Sequence, residues 1–203
     1  MTAKTVVGVG VWVVACLAAS GAMMGYDFRP GRLGGARMSW PADSSLHRDP
    51  AHTTAVAFLH PRCVCSDATV TQLIRTVKAQ PGVEVVVPVF VPAESAAEAA
   101  WEQSPYVQRL RAALPQARIV FDRGGAEAQR FGAWTSGTVL VYDAAGREIF
   151  RGGITNRRGG EDENPGRQRF ARTIAAPAEA APAQASPVFG CPILALNRDG
   201  RGS

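Results

Sequence analysis

Residues 83–91 (VEVVVPVFV) form a near-continuous β-branched run, and few folds can accommodate such a segment. A strand apolar on both faces suits the interior of a parallel sheet, where helices cover each side. The flanking segments have the matching alternation. Residues 54–59 (TAVAFL) read as a short buried strand and 66–79 as a helix. In that helix Val70, Leu73, Ile74 and Val77 recur at i, i+3, i+4 and i+7, with Ser66 or Asp67 available as N-cap. Residues 105–114 read as helix, 117–121 as a third strand and 125–131 as a short helix. Strands over 138–142 and 148–151 flank the turn signal Asp143-Ala144-Ala145-Gly146. A last helix is predicted over 164–176, with Pro165 at an early position where its missing N–H costs little. The order strand, helix, strand, helix, strand, helix, hairpin, helix specifies a mixed sheet sandwiched by helices.

A length of 203 residues argues for one domain with short extensions. Hydrophobic residues make up 46% and charged residues 19%, which excludes wholesale disorder, and the absence of a fixed-period repeat excludes solenoids and propellers. The net charge of +5 comes from scattered arginines, Lys4 and Lys78 being the only lysines. No aromatic-interleaved basic stripe exists on which bases would stack, so no nucleic-acid partner is expected. The expected organisation is a membrane anchor or signal segment over 1–25, a Gly/Pro/Ser-rich linker over 26–53, the α/β domain over 54–177, and an Ala/Pro-rich tail over 178–203 that carries a Cys segment.

Residues 6–25 are apolar and uncharged, long enough to cross a hydrocarbon core as a helix. A cleaved signal is the second reading, because 18–22 contains small residues; its usual apolar core is shorter. A lipoprotein box at Val13-Val14-Ala15-Cys16 is the third, weakened by the apolar run that continues past Cys16. Arg29, Arg32 and Arg37 outnumber Lys4, against the positive-inside rule, but large domains translocate regardless of flanking charge. The expectation is a single-pass protein of the bacterial inner membrane with a periplasmic domain.

The chemistry lies in His60-Pro61-Arg62-Cys63-Val64-Cys65-Ser66, between the first strand and its helix. This is the thioredoxin arrangement, in which a redox cysteine stands at a helix N-terminus whose dipole and unpaired N–H groups stabilise a thiolate. Against the usual Cys-x-x-Cys pattern, Cys63 takes the first position, Ser66 the second, and Cys65 stands between them. A Cys63–Cys65 disulfide closes too small a loop to act as a staple and is more readily functional. With Cys16 in the apolar segment, Cys63, Cys65 and Cys191 form an odd set in the soluble part. Three readings stay open. In the first, Cys63 attacks and Cys65, or Cys191, resolves, with Arg62 and His60 favouring the thiolate; the partner is a protein or small-molecule thiol or disulfide and no cofactor is needed. In the second, His60, Cys63, Cys65 and Cys191 hold copper or zinc, to which three thiolates and an imidazole are suited. In the third, Cys191 staples the tail to the core.

Other features carry less. Gly152-Gly153 marks a strand end open to close approach. Arg157-Arg158 with 161–163 reads as solvated surface, and Gly124-Gly125 lacks the Lys-Ser/Thr of a phosphate loop. Trp101 and Trp134 read as packing residues.

A wider set of motifs joins these. Trp40-Pro41, Ser44-Ser45-Leu46, Phe58-Leu59-His60-Pro61, Cys63-Val64-Cys65, Thr135-Ser136-Gly137, Leu140-Val141-Tyr142-Asp143, Gly152-Gly153-Ile154-Thr155, Arg158-Gly159, Asn164, Gly166 and Val188-Phe189-Gly190-Cys191-Pro192 together resemble the RedB-type thioredoxin-like proteins. The resemblance spans about residues 40–192 and implies a membrane-anchored thioredoxin-like three-layer sandwich. Two positions depart from it. Gly160 stands where the family usually has a histidine, and Ser136-Gly137-Thr138 replaces the cis-proline segment that shapes substrate docking in thioredoxins.

Overall fold

The computed structural model describes residues 2–93, 103–179 and 185–193. Trp101 and the end of the terminal apolar segment lie outside them. Among the described residues the strands are β1 (Thr53–Phe58), β2 (Val83–Val91), β3 (Arg118–Arg123), β4 (Thr138–Tyr142), β5 (Glu148–Gly152) and β6 (Ala185–Ser186). They form one sheet in the order β3-β2-β1-β4-β5-β6. β1, β2 and β3 are parallel, while β4 runs antiparallel to both β1 and β5. The helices are α1 (Ala3–Asp27), α2 (Val64–Lys78), α3 (Pro105–Ala113), α4 (Ala126–Phe131) and α5 (Pro165–Ala175).

β2 is interior, as its β-branched run demands. All six residues of β1 are buried, and their side chains divide by the two-residue period of a strand. Ala55 and Ala57 join Val70, Leu73 and Val77 of α2, together with α3 and α5 residues, in one core. Val56 and Phe58 face a second core with Phe131, Leu140 and Tyr142. The apolar stripe predicted for α2 is the stripe that packs.

Helices cover both faces, but unequally. α2, α3 and α5 lie on one side; the other is covered by short α4 and by the non-helical stretch 28–52. That stretch, read as a linker from its composition, is a strap held at defined points. Trp40 packs edge-on against Phe131 and Tyr142, with ring centroids 5.0 Å away in each case. The buried Glu127 carboxylate accepts bonds from Ser44 Oγ (2.6 Å), Ser45 N–H (3.0 Å) and Ser45 Oγ (2.9 Å). Asp122 holds the start of α4 by accepting from the N–H groups of Glu127 and Ala128.

The described part of the tail contains a strand that its Ala/Pro composition did not announce. Ala185–Ser186 adds a parallel edge strand, pairing Arg151 with Ala185 and Gly152 with Ser186. Gly152 and Gly153 permit this approach: a Cβ on either would stand 2.5 Å from a backbone oxygen of Ser186 or Pro187. Close approach, rather than a simple turn, is what these glycines serve.

α1 meets the domain at its last turn, where the Arg158 N–H donates to the Asp27 carbonyl, and its apolar length lies outside the core. Its window of highest apolarity has a mean hydropathy of 2.1 and none of it is buried among the described residues. At 1.5 Å per residue its 25 residues extend about 37 Å, enough to cross a hydrocarbon core of about 30 Å. It is a candidate membrane span near the N-terminus, by length and composition.

Under the sheet, Arg151 and Glu148 form an ion pair with both side chains 1% exposed, and Arg151 also donates to the Phe131 carbonyl. Removing one member of such a pair strands the other charge, which costs about 3–5 kcal/mol. Arg151→Met is therefore expected to lower stability by that amount in urea unfolding. The double substitution with Glu148→Leu recovers more than half of the loss.

Candidate active site

The site begins where β1 ends. Leu59 continues the strand by a bridge to Val89, and the Cys63 N–H bonds back to the His60 carbonyl (3.1 Å), forming a turn before α2. α2 starts two residues earlier than the spacing predicted. Its N-cap is Cys63, in extended backbone geometry (φ −104°, ψ 121°), and Cys65 lies in its first turn. Neither Ser66 nor Asp67 is the cap. Ser66 Oγ is fully buried and donates to the His60 carbonyl (2.8 Å), while Ser136 Oγ lies 2.7 Å from it. The His60 N–H donates to both hydroxyls. Asp67 instead pairs with Arg109 at 2.7 Å.

Three sulfurs converge here without forming a disulfide. Cys63 and Cys191 are 128 positions apart in sequence, yet their Sγ atoms lie 2.9 Å from each other. Cys63 is held down from the ordinary thiol value of 9.0 to about 4, chiefly by a hydrogen bond from the Cys65 thiol, with a further thiol bond from Cys191 and backbone N–H groups of both residues. Burial works against this and is outweighed. Cys65 is pushed up, first because its thiol donates a hydrogen bond to Cys63 and then by burial. Cys191 is raised to about 11, chiefly by burial and by the same role as donor to Cys63, with Arg158 pulling the other way. The arrangement is one thiolate, Cys63, solvated by two thiols and by the backbone N–H groups of Cys65, in the first turn of α2, and of Cys191.

Cys191 reaches this position through the segment after β6. The Ser136 N–H donates to the Cys191 carbonyl (2.9 Å), Thr135 bridges Pro192, and the Ile193 N–H donates to the Trp134 carbonyl. Gly190 fits against Ser136 so closely that a Cβ would stand 1.9 Å from the Ser136 carbonyl oxygen. On the other side, Gly137 (φ +88°) donates its N–H to the Phe58 carbonyl, and Thr138 Oγ1 donates to the Thr135 carbonyl before opening β4. No cis peptide bond occurs among the described residues. The Ser136-Gly137-Thr138 segment thus lies beside the sulfurs, its Ser136 N–H occupied by the chain's own terminal segment.

His60 and Arg62 lie on the turn between β1 and α2. The His60 ring stacks on Phe90 (centroids 5.5 Å apart, 17° between planes), and its Nδ1 accepts from the Arg62 N–H. Burial lowers its pKa from the usual imidazole value, with the Cys63 charge pulling it up and Arg62 pushing it down. Its backbone also joins the site, through Ser66 and Ser136. Arg62 is exposed on the turn. Among the described residues no group of three or more His, Cys, Asp or Glu side chains is placed to hold a metal ion, so the geometry lends nothing to the copper or zinc alternative.

Sequence reading missed Arg158 and Gly190 as parts of the site. Arg158, read as solvated surface, is half-buried and donates through Nη1 to the Gly190 carbonyl. The close packing of Gly190 had one visible trace, a glycine next to a cysteine. Trp134 packs partly buried against the second core, as expected.

No protein-family model matches the chain, and a search of curated proteins finds no relative. Solved structures do match. A hypothetical protein from Sinorhizobium meliloti is 17% identical with a TM-score of 0.61, the match covering 79% of this chain and 96% of that one. An uncharacterised conserved protein from Geobacillus kaustophilus is 18% identical with a TM-score of 0.57, covering 82% and 92%. The thioredoxin domain of a thiol-disulfide oxidoreductase from Bacteroides vulgatus is 10% identical with a TM-score of 0.46, covering 72% and 98%. The fold is thioredoxin-like: a mixed sheet between helices, with the cysteine turn joining β1 to the helix that follows it.

The depressed Cys63 pKa has a consequence for stability. Between about pH 4 and pH 9 the unfolded chain carries a proton at Cys63 that the folded chain has released, so stability rises with pH across that window. The contribution is complete above 9 and lost as pH falls through about 4. Reduced protein is expected to resist urea better at pH 8 than at pH 5, with Cys63→Ser removing part of that slope. Thiolate absorbance near 240 nm is expected to titrate close to pH 4 in the parent and to lose that step in Cys63→Ser.

Proposed function

We propose that the protein carries out thiol–disulfide exchange, with Cys63 as nucleophile and Cys191 as resolving thiol. The observation that carries this reading is the 2.9 Å contact of the two sulfurs at the N-terminus of α2. A disulfide needs S–S of about 2.05 Å, so a movement of roughly 0.9 Å joins them. Cys65 is the less suited resolver. Its thiol is pushed further up than that of Cys191, and a bond from it to Cys63 would close a ring of only three residues.

The step balances as follows. The Cys63 thiolate attacks one sulfur of a partner disulfide, the partner's S–S bond breaks, and its second sulfur leaves with the electron pair. Cys191 then loses its proton to solvent and attacks Cys63 Sγ, releasing the partner's first sulfur as a thiolate. The partner disulfide gains two electrons and the Cys63/Cys191 pair loses two. In reverse, the acidity of Cys63 makes it the better leaving group. The partner is a protein or small-molecule disulfide. We also read the chain as RedB-type, single-pass in a bacterial inner membrane with its domain periplasmic; the motifs between residues 40 and 192 and the apolar α1 support that assignment.

Cys63→Ala is expected to abolish reduction of a small test disulfide. Cys191→Ser is expected to accumulate a mixed disulfide on Cys63, visible by intact mass, while Cys65→Ser turns over. Accumulation in Cys65→Ser with turnover in Cys191→Ser would reverse the roles of the two thiols.

A further inference from the structure

The loop after β5 ties the sulfur site to the end of α1. The Arg158 N–H donates to the Asp27 carbonyl (3.0 Å) and its Nε to the Tyr26 carbonyl (3.2 Å). Its guanidinium lies over the Tyr26 ring, 4.4 Å from the centroid. The same guanidinium donates to the carbonyl of Gly190, the residue before Cys191. The next residue, Gly159, donates a backbone bond to Cys65. A second stitch joins the Gly31 N–H to the Val188 carbonyl (2.8 Å). One loop residue therefore separates the last turn of α1 from the sulfurs.

The end of α1 also fixes a level. Tyr26 and Phe28 are 59% and 53% exposed, and aromatic side chains at the end of an apolar span rest in the headgroup layer. Arg158, stacked on Tyr26, stands at that level, and Cys191 is one residue from the carbonyl it holds. Val64, between Cys63 and Cys65, is 76% exposed and gives this end of the domain an apolar contact point. The β4–β5 turn, with Ala144 exposed, is at the far end of β4 from Ser136 and Gly137.

We propose that the sulfur site opens toward the headgroup layer, and that its partner is a disulfide carried close to the bilayer surface by a second membrane-anchored protein. This rests on the exchange reading above and on α1 being retained as an anchor. The bond changes are those already written, with the second protein's disulfide as the two-electron acceptor.

The test uses the reduced full chain in phosphatidylcholine/phosphatidylglycerol vesicles. A peptide disulfide is tethered to lipid by a flexible linker of about two or about twenty residues, reaching roughly 7 Å or 70 Å. The expected result is that both are reduced at rates within about threefold. A short-linker rate at least tenfold below the long-linker rate, with the free peptide disulfide also reduced, overturns the membrane-facing placement while exchange stands. Reduction of neither the free nor any tethered disulfide overturns the exchange reading and the partner assignment with it.

Placement has its own readout. With Cys16, Cys63, Cys65 and Cys191 replaced by Ser, a fluorophore is attached through Val64→Cys or Ala144→Cys and quenched by headgroup-nitroxide lipid. Quenching at least threefold greater at 64 than at 144 supports the proposal, and equal or reversed quenching overturns it. A mature protein whose mass lacks α1 overturns it as well.

Discussion

The pairing of β1 with β2 on one edge and β4 on the other is the constraint from which the site hangs. Because all of β1 is buried, its register cannot slip without turning Val56 and Phe58 out of one core and Ala55 and Ala57 out of the other. The Phe58 carbonyl, just past the last full pairing, receives the Gly137 N–H, and the chain then turns through His60 to Cys63. The positions of the cysteine turn and of the Ser136 loop are thus two consequences of one ladder. Ser66 and Ser136, bonded to each other and to the His60 backbone, lock the two together.

Two contributions of opposite sign then act on the sulfur pair. Side-chain and backbone hydrogen bonds from Cys65 and Cys191 favour the Cys63 thiolate, and so favour the reduced form. Against this, a Cys63–Cys191 bond closes a loop of more than a hundred residues, which in the chain-entropy account stabilises the bonded form by on the order of 4–5 kcal/mol. A Cys63–Cys65 bond, closing almost no loop, lacks that second contribution. The long sequence separation of the pair is itself a determinant of its redox balance.

Much of this was legible in the sequence where a periodic signal existed. The β-branched run gave β2 to the residue, and the Asp143–Gly146 turn placed β4 and the start of β5. The start of α2 was misjudged because a buried serine resembles a capping serine until its partner, 70 positions away, is known. The strap over 28–52 has no period to read: it is held by Trp40 and by two serines on one buried glutamate, contacts that depend on α4 being in place. β6 is two residues long in an Ala/Pro-rich stretch, below what alternation can reveal. The sequence left open whether Cys191 bridges, resolves or binds metal, since nothing local to it records that Gly190 would fit against Ser136.

The separation of Cys63 and Cys191 also has a meaning in time. At a synthesis rate of about 5–20 residues per second, Cys191 is made roughly 6 to 25 seconds after Cys63. Throughout that interval Cys63 lacks the neighbour supplied by the far end of the chain. The acidity of Cys63, which belongs to the folded site, is therefore completed only when the Gly190-Cys191 segment takes its place.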